Sequence, residues 1–303
     1  MSSFRTWSVA VRVMGNSLLL DDRAASAPYS GPELGTGTCV QLSAAQRLKL
    51  LRQRLFAALG IGGDVEVRLE ETADGVFVRV DGRRIAVPSP LRWKFYRKGW
   101  ATRLDRLASE YGVGRHVFLD ADSVVLDVGA NTGDFAHLCA RFGARVLCFE
   151  PDPAAFACLR KNIAVLNNAR AFDCAIWKEN GAIDFALAPE RADSSVFAEG
   201  PRIKKRAVAI ETFAREEGLT RIDLIKCDAE GAEPEVLEGV GDAYPLVRAV
   251  ALDTGPERKG KRTNEECAAI LRANGFEVVD EKIGTRWMTY GVRRRPPVTP
   301  NGS

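Results

Sequence analysis

Residues 124–135 read VVLDVGANTGDF, and this stretch decides how the rest of the chain is interpreted. An apolar run ends at a lone acidic residue, Asp127, and glycines follow at positions 129 and 133. A strand followed by a glycine turn and a helix is typical of sites that bind phosphate through backbone N–H groups. Here the spacing is D-x-G-x-x-x-G, no Walker lysine follows, and Asp127 would repel a phosphate at close range. The loop therefore predicts a ligand that carries positive charge.

The same stretch opens a series in which apolar strands alternate with helices. Strands are predicted at 123–128, 144–150, 169–176, 222–228, 249–254, 276–282 and 287–293. Alternation at this spacing predicts an α/β fold with a doubly wound, mostly parallel sheet. Such sheets bind ligands in the crevice outside the carboxyl ends of their strands.

A second carboxylate supports the cationic ligand. Glu150 ends the strand after the glycine loop, where an acidic side chain can accept hydrogen bonds from both hydroxyls of a ribose. S-adenosylmethionine carries an ammonium and a sulfonium beside its adenosine and has no phosphate, so it fits both carboxylates. The residues predicted to bind this cofactor are Asp127, Gly129, Ala130, Asn131, Thr132, Gly133, Glu150, Pro151, Asp173, Cys174, Ala175 and Asp228.

The strand at 222–228 carries the candidate catalytic residues. Methyl transfer is an in-line displacement, and a hydroxyl acceptor needs a group that takes its proton. Asp228 at the strand tip is the first choice for this role, Glu230 the second and Lys226 the third. Alternatively, the two carboxylates only cap the following helix. Together with Glu233 and Asp253 they also offer hard oxygen ligands, but carboxylates often cluster at a turn without an ion, and no metal is predicted.

Three stretches resemble one known family. They are VVLDVGANTGDFA (124–136), CFEPDPAAFACLRKNI (148–163) and RIDLIKCDAEGAEPEVLEG (221–239). They are similar to the FkbM-type S-adenosylmethionine-dependent methyltransferases, and the D-x-E-G-A-E pattern of the third is the most specific. The resemblance spans roughly residues 93–293. It implies a seven-stranded sheet with one antiparallel strand near the edge, and methyl transfer to a hydroxyl oxygen of a glycan or natural product.

The residues before this region predict a small separate module. Ser43 and Gln46 have capping-box spacing for a helix up to Leu59. On this helix Leu48, Leu51, Leu55 and Leu59 share one face, and Arg47, Lys49, Arg52 and Arg54 cover much of the rest. Three short strands follow at 64–70, 75–80 and 83–87. The predicted division is an accessory module at 1–90 with a loop at 21–38, a methyltransferase domain at 91–296 and a disordered tail at 297–303.

Composition excludes several classes of protein. The 303 residues are 46% hydrophobic and 27% charged, and 43 basic against 40 acidic residues give a net charge of +3. This balance argues against general nucleic-acid binding. No apolar run approaches the roughly 20 residues that cross a bilayer, and Arg12 interrupts the apolar stretch that a signal peptide would need. We expect a cytoplasmic enzyme, with a homodimer left open.

Two stretches bear on the acceptor. The run ERKGKR (257–262) is on the ligand side of the sheet, so Arg258, Lys259, Lys261 and Arg262 could bind an acidic acceptor, although basic runs of this kind are normally solvated. Residues 91–100 contain Trp93 and Trp100 one heptad apart, which favours core packing of a cap helix over a platform for sugar stacking.

Two other functions remain open from the residues alone. An NAD-linked sugar oxidoreductase or epimerase would use Glu150, but it usually needs a Tyr-x-x-x-Lys pair that does not occur in the sequence. A methyltransferase-like binding module without turnover is the second. Asp127, Gly129, Gly133, Glu150 and Asp228 support ligand binding better than they support catalysis.

Overall fold

A computed structural model of the chain describes residues 13–14, 17–18, 42–188, 195–197 and 200–293. The strands within these residues are β1 (Val13–Met14), β2 (Ser17–Leu18), β3 (Arg68–Thr72), β4 (Gly75–Val80), β5 (Arg83–Val87), β6 (Val124–Val128), β7 (Arg145–Phe149), β8 (Ala169–Phe172), β9 (Ala175–Ile176), β10 (Gly181–Ala186), β11 (Arg202–Val208), β12 (Leu224–Cys227), β13 (Ala249–Asp253), β14 (Glu277–Ile283) and β15 (Arg286–Val292). The helices are α1 (Ala44–Ala58), α2 (Trp100–Glu110), α3 (Asp134–Ala140), α4 (Pro153–Ile163), α5 (Ile210–Glu216), α6 (Glu233–Glu238) and α7 (Asn264–Ala273), with 3-10 helices at Pro90–Tyr96 and Gly241–Leu246.

Seven strands form the central sheet in the order β14-β15-β13-β12-β6-β7-β8. The pairs from β13 to β8 are all parallel, whereas β15 is antiparallel to both of its neighbours. The four strands β6, β7, β12 and β13 are mostly apolar and almost entirely buried, as parallel strands between two helix layers require. The predicted α/β fold, with seven strands and one antiparallel strand near the edge, is confirmed.

The chain changes direction across the sheet between β6 and β12. From β6 it proceeds outward through β7 to β8, and it later returns to place β12 on the other side of β6. At this boundary Asp127 of β6 lies directly opposite Lys226 of β12 in the parallel register. The carboxyl ends of the two strands therefore diverge into connections that leave a crevice, which is where such sheets bind ligands.

Two glycines let the loop after β6 pack closely on the rest of the chain. Gly129 has a φ of +69°, and a Cβ added to it would lie 2.0 Å from the carbonyl oxygen of Asp228. Gly133 has a φ of +87°, and its Cβ would lie 2.9 Å from the side chains of Leu159 and Ile163. Contacts within the chain thus require both glycines.

The predicted strand at 169–176 divides into two. Pairing with β7 stops at Phe172, opposite Phe149, and the chain then bends at Asp173 and Cys174. The following residues, β9, pair instead with β11 in a three-stranded sheet of order β10-β11-β9. This bend brings Ala175 and Ile176 over the carboxyl end of the main sheet.

The helix α1 begins as the sequence predicts but turns its leucine-rich face outward. The side chain of Ser43 accepts from the backbone N–H of Gln46, and the side chain of Gln46 accepts in return. Leu48, Leu55 and Leu59 are 63%, 56% and 62% exposed. The opposite face packs inward, because the Gln53 amide donates to the carbonyl oxygen of Val65 and Leu50 contacts the core.

One hydrophobic core crosses the predicted boundary at residue 90. It joins Val80 and Val87 of the first module to Val125 of β6. Trp93 and Trp100 belong to the same core and are buried, although they lie on two helices because Gly99, with a φ of +93°, separates them. The loop predicted at 21–38 and the tail predicted at 297–303 lie outside the described residues. In the described part of the chain, no helix combines the length and apolar character that a membrane crossing requires.

The close contact at Gly129 predicts a large loss of stability on substitution. Gly129→Ala combines a left-handed backbone with a methyl group forced onto a backbone carbonyl, so the free energy of unfolding should fall by about 3 kcal/mol or more. Gly114→Ala is the matched control, because its φ is +86° and no atom lies within 4 Å of the added Cβ. It should cost only about 1 kcal/mol. Chemical denaturation of both variants measures the difference, and equal losses would contradict the packing argument.

Candidate functional site

A cavity opens at the carboxyl ends of β6 and β12. Its wall includes residues 128–132, residues 149–152, residues 175–177 and the residues that follow β12. The 3-10 helix at Pro90–Tyr96 and the helix α2 close one side, and Arg286 of β15 reaches in from the edge. The sequence-predicted Gly129, Ala130, Asn131, Thr132, Glu150, Pro151, Ala175, Lys226, Asp228 and Glu230 all lie in this wall. Gly133, Asp127, Asp173 and Cys174 do not.

Asp127 is fully buried in an ion pair with Lys226. The Lys226 Nζ lies 2.9 Å from Asp127 Oδ1, and it donates to the carbonyl oxygens of Gly129 at 2.8 Å and Val128 at 3.2 Å. Burial alone would lower the pKa of Lys226, but the carboxylates of Asp127 and Asp228 raise it above its ordinary value, so the lysine carries its charge. The sequence predicts a positively charged ligand beside Asp127. In the structure, the ammonium of Lys226 occupies that position.

Glu150 is held at the cavity wall by two backbone amides. The N–H of Asn131 donates to Oε2 and the N–H of Asp152 donates to Oε1, each at 2.8 Å. Burial raises the pKa of Glu150 to about 7. A carboxylate oxygen can accept more than one hydrogen bond, so both oxygens keep the capacity to bind hydroxyl groups from the cavity side.

The apolar part of the cavity wall is formed by residues slightly later in the chain than those predicted from the sequence. Asp173 is exposed and pairs with Lys205, while Cys174 is buried in the core between β8 and β9. Ala175 reaches the cavity together with Ile176 and Trp177. Of the predicted cofactor residues Asp173, Cys174 and Ala175, only Ala175 therefore lies in the cavity wall, because pairing with β7 ends at Phe172 and the chain bends there.

Asp228 lies in a network of charged and polar side chains. Its Oδ2 accepts from the hydroxyl of Tyr111 at 2.8 Å and from Nη1 of Arg286 at 2.8 Å. Arg286 also pairs with Asp253, at 2.7 Å. Burial acts to raise the pKa of Asp228, but Arg286 and Lys226 outweigh it and hold that pKa well below its usual range. The pKa of Asp253 rises to about 7 through burial and the nearby Asp228 charge, so Asp228 is the carboxylate that stays ionised.

Sequence reasoning did not find Tyr111 or Arg286. Tyr111 immediately follows α2, and Arg286 begins β15, so both are far from Asp228 along the chain. The only signal for Tyr111 is its place within roughly residues 93–293, the region that the family resemblance spans. The sequence gives no signal for Arg286 except that it follows a turn at Gly284. Polar residues are common at the ends of hairpins, so this position does not indicate a function.

A third polar cluster also escaped the sequence interpretation. Asp134, the first residue of α3, accepts from the hydroxyl of Tyr96 at 3.1 Å and from Nε of Arg103 at 2.8 Å. All three side chains lie in the cavity wall. A carboxylate beside a guanidinium can bind the ammonium and the carboxylate of an amino-acid group.

The other carboxylates after β12 have different surroundings. Glu233, the first residue of α6, is fully buried and accepts from the backbone N–H groups of Ala229 and Gly231 and from the hydroxyl of Thr263. It therefore fixes the turn before α6, and no side chain of the described residues caps that helix, so the capping role left open for Asp228 and Glu230 is not seen. Glu230 lies in the cavity wall with a φ of +52°. Across the described part of the chain, no group of three or more histidine, cysteine or acidic side chains could hold a metal ion.

Comparison with known proteins identifies the family of the chain. The sequence profile described as methyltransferase FkbM domain matches residues 127–278, which is half of the chain and includes the ends of β6, β7 and β12. The chain belongs to the FkbM family of S-adenosylmethionine-dependent methyltransferases. Its cofactor is S-adenosylmethionine.

Three characterised proteins illustrate the similarity. The 2-O-methyltransferase NoeI of Sinorhizobium fredii is 35% identical over 151 residues, which cover 43% of this chain and 62% of NoeI. The 31-O-demethyl-FK506 methyltransferase FkbM of Streptomyces tacrolimicus is 32% identical over 207 residues, covering 55% of this chain and 78% of that protein. The hexuronic acid methyltransferase AglP of Haloferax volcanii is 30% identical over 156 residues, covering 50% and 64%.

The cavity fits the cofactor of the FkbM family. Glu150 offers two acceptor oxygens for the ribose, and Ala175, Ile176 and Trp177 form an apolar slot for a ring. The Asp134 and Arg103 pair suits the charged amino-acid end. A buried Asp127 contributes through Lys226 and the loop rather than as part of the cavity wall.

The buried pair predicts a large loss of stability when one partner is removed. Lys226→Met leaves Asp127 charged and unpaired in the interior, which should lower the free energy of unfolding by about 3–5 kcal/mol. Adding Asp127→Asn should recover part of that loss. Lys204→Met is the control, because Lys204 and Asp184 form a pair at 3.0 Å with side chains 72% and 53% exposed, and it should cost less than about 1 kcal/mol. Denaturant titrations of the three variants test this; a double variant no more stable than Lys226→Met would contradict it.

The pKa of Glu150 predicts a pH dependence of cofactor binding. The ionised carboxylate accepts hydroxyl hydrogen bonds that the protonated form loses in part, and with a pKa of about 7 its ionised fraction falls about tenfold between pH 8 and pH 6. Calorimetry should therefore find a Kd for S-adenosylmethionine that is several-fold higher at pH 6, up to about tenfold if only the ionised form binds. Glu150→Gln should bind weakly at both pH values.

The matched control for this measurement is Glu233→Gln. Glu233 is also a buried glutamate that accepts backbone N–H groups, and its pKa is raised to about 8 by burial, but it does not lie in the cavity wall. This variant should keep the pH dependence of the wild type. A pH dependence that survives in Glu150→Gln would assign the titration to another group.

Proposed function

We propose that the protein transfers a methyl group from S-adenosylmethionine to a hydroxyl oxygen of a glycan or natural product, with Asp228 receiving the acceptor proton. The observation that carries this proposal is the fixed and ionised carboxylate of Asp228 in the cavity wall beside the loop after β6. When bound, the cofactor supplies an electrophilic methyl group on a sulfonium.

The low pKa of Asp228 is compatible with this role. A hydroxyl is a poor nucleophile, but its proton becomes strongly acidic as the new O–C bond forms. A carboxylate that is ionised at neutral pH can accept such a proton late in the reaction, even though it is a weak base toward the free alcohol. Arg286 and Lys226 keep Asp228 ionised, so the acceptor oxygen always meets a hydrogen-bond acceptor.

The geometry of the network leaves one oxygen of Asp228 for the acceptor. Tyr111 and Arg286 both donate to Oδ2, and among the described residues no donor is bonded to Oδ1. Two fixed donors on one oxygen set the orientation of the carboxylate before the acceptor arrives. This preorganisation supports alignment of the hydroxyl, which is the main requirement of an in-line displacement.

The other candidate catalytic residues take supporting roles in this proposal. Lys226 uses its donors on Asp127 and two backbone carbonyls, so it positions the loop and keeps Asp228 ionised. Glu230 lies in the same wall and is proposed as a second contact for acceptor hydroxyls. For the cofactor we propose Glu150 at the ribose, residues 175–177 at the adenine, and Asp134 with Arg103 at the amino-acid group.

A neutral acceptor is favoured over an acidic one by the surroundings of the two arginines in the basic run 257–262. Arg258 pairs with Glu235 and donates to the carbonyl oxygen of Gly231, and Arg262 pairs with Asp280. Their charge is therefore largely compensated within the chain. One relative is named as a hexuronic acid methyltransferase, so carboxylated sugars are included as a separate group of acceptors in the experiment below.

The test is transfer of a labelled methyl group to a panel of acceptors. The panel contains neutral glycosides, uronic acid glycosides and hydroxylated polyketides, since the relatives carry the names of a 2-O-methyltransferase and a methyltransferase for demethylated FK506. Formation of a methyl ether, located by NMR, supports the proposal. A methyl group found on nitrogen would refute transfer to oxygen, and cofactor binding without transfer to any acceptor would favour the binding module.

Asp228 provides the sharpest substitution test of this proposal. Asp228→Asn keeps the shape of the side chain but removes the proton acceptor, so kcat should fall by about a hundredfold or more, with a cofactor Kd within about threefold of the wild type. The matched control is Asp223→Asn, just before β12, where Asp223 pairs with Arg221 and Arg248 at the opposite end of the strand. Turnover by this control should stay within about twofold. Similar losses in both variants would point to structural damage instead of lost catalysis.

A further inference from the structure

The outward face of α1 carries exposed leucines that have no role in the proposed methyl transfer. Leu48, Leu55 and Leu59 recur at positions i, i+7 and i+11, so they form one stripe along the helix, and Ile61 just beyond its end is 47% exposed. Residues scattered singly on a surface need no explanation, but here three leucines along one face of α1 and Ile61 just after it are exposed together, with Arg52 on the same face.

The charges beside this stripe all have the same sign. Arg47, Lys49 and Arg52 are exposed next to the leucines, and no Asp or Glu occurs anywhere from Leu42 to Gly63. In the described part of the chain no acidic side chain pairs with these three residues, whereas Arg54 on the inner side pairs with Glu66 at 3.6 Å. Long basic side chains can lay their methylene groups beside leucines while their charged ends reach outward.

We propose that α1 docks this protein on an anionic membrane surface, lying in the plane of the interface with Leu48, Leu55 and Leu59 inserted and Arg47, Lys49 and Arg52 at the lipid phosphates. Amphipathic helices with a basic polar face bind bilayers in this manner, through buried apolar area and attraction to anionic lipids. The proposal goes beyond methyl transfer and does not depend on it.

The charge pattern favours a bilayer over a second copy of the chain. Two copies meeting through this face would bring the basic side chains of one α1 against those of the other, because residues 42–63 contain no Asp or Glu. The face is also a convex helix surface, which a flat bilayer can accept without a preformed groove. Meanwhile Gln53 and Leu50 hold the inner side of α1 on the module, so the stripe stays outward.

The experiment is flotation of the full chain with vesicles. The vesicles contain either phosphatidylcholine alone or phosphatidylcholine with roughly one third phosphatidylglycerol. The wild type should float with the anionic vesicles and not with the neutral ones, and binding should weaken as salt is raised. The triple variant Leu48→Ala, Leu55→Ala, Leu59→Ala and the triple variant Arg47→Gln, Lys49→Gln, Arg52→Gln should each lose at least about tenfold in the fraction bound.

A matched control removes exposed apolar side chains from other surfaces. Phe118 and Val165 are 68% and 76% exposed, and the double variant Phe118→Ala, Val165→Ala should bind like the wild type. All of the substitutions are at exposed positions, and thermal unfolding verifies that each variant is folded. Absence of binding to anionic vesicles overturns the proposal. Binding that persists in the leucine variant also overturns it. A dimer of the wild type in light scattering that the leucine variant dissociates would overturn it as well, because the face would then mediate self-association.

Discussion

The buried ion pair between Asp127 and Lys226 is the interaction on which the site depends. Taking two charges out of water is costly, and two conditions reduce that cost for a charged group: a close partner of opposite charge and further hydrogen bonds. Lys226 meets both conditions, because its ammonium contacts Asp127 and also the carbonyl oxygens of Val128 and Gly129, where β6 leaves the sheet. One side chain thus neutralises a buried carboxylate and fixes the start of the glycine loop. This restraint ties the ends of β6 and β12 together at the floor of the cavity.

Electrostatic consequences of the pair reach the residues proposed for chemistry. Lys226 and Arg286 surround Asp228 with positive charge, so burial does not neutralise that carboxylate, whereas Glu150 and Asp253, with weaker compensation, have pKa values of about 7. Similar carboxylates are therefore given different protonation states by their neighbours. Such separation of pKa values is common in active sites, where it assigns one group to stay ionised. Arg286 links Asp228 and Asp253, which makes the last hairpin of the sheet part of the site.

The sequence was informative wherever function depends on local pattern. The alternation of strands and helices, the crevice at the carboxyl ends of the parallel strands, the positions of Glu150 and Asp228 at strand ends and the capping box of Ser43 all follow from periodicity and spacing. It was less informative where a contact joins distant parts of the chain. Arg286 and Tyr111 meet Asp228 only after folding, and the bend at Asp173 depends on where pairing with β7 ends. Asp127 is the clearest example. The sequence shows both Asp127 and Lys226 on apolar strands, but it does not show that the two strands are neighbours and that the two side chains form an ion pair. The leucine stripe of α1 was visible too, whereas the direction in which it points depends on Gln53 and Leu50.

A crystal structure of the chain with S-adenosylmethionine bound would test the central claim most directly. The account predicts an intact ion pair between Asp127 and Lys226, ribose hydroxyls within hydrogen-bond distance of Glu150, and the sulfonium methyl group directed toward the space beside Asp228. It also predicts that the amino-acid group meets Asp134 and Arg103. A ligand ammonium bound to Asp127, with Lys226 displaced from it, would contradict the account and restore the interpretation in which Asp127 itself binds the cofactor.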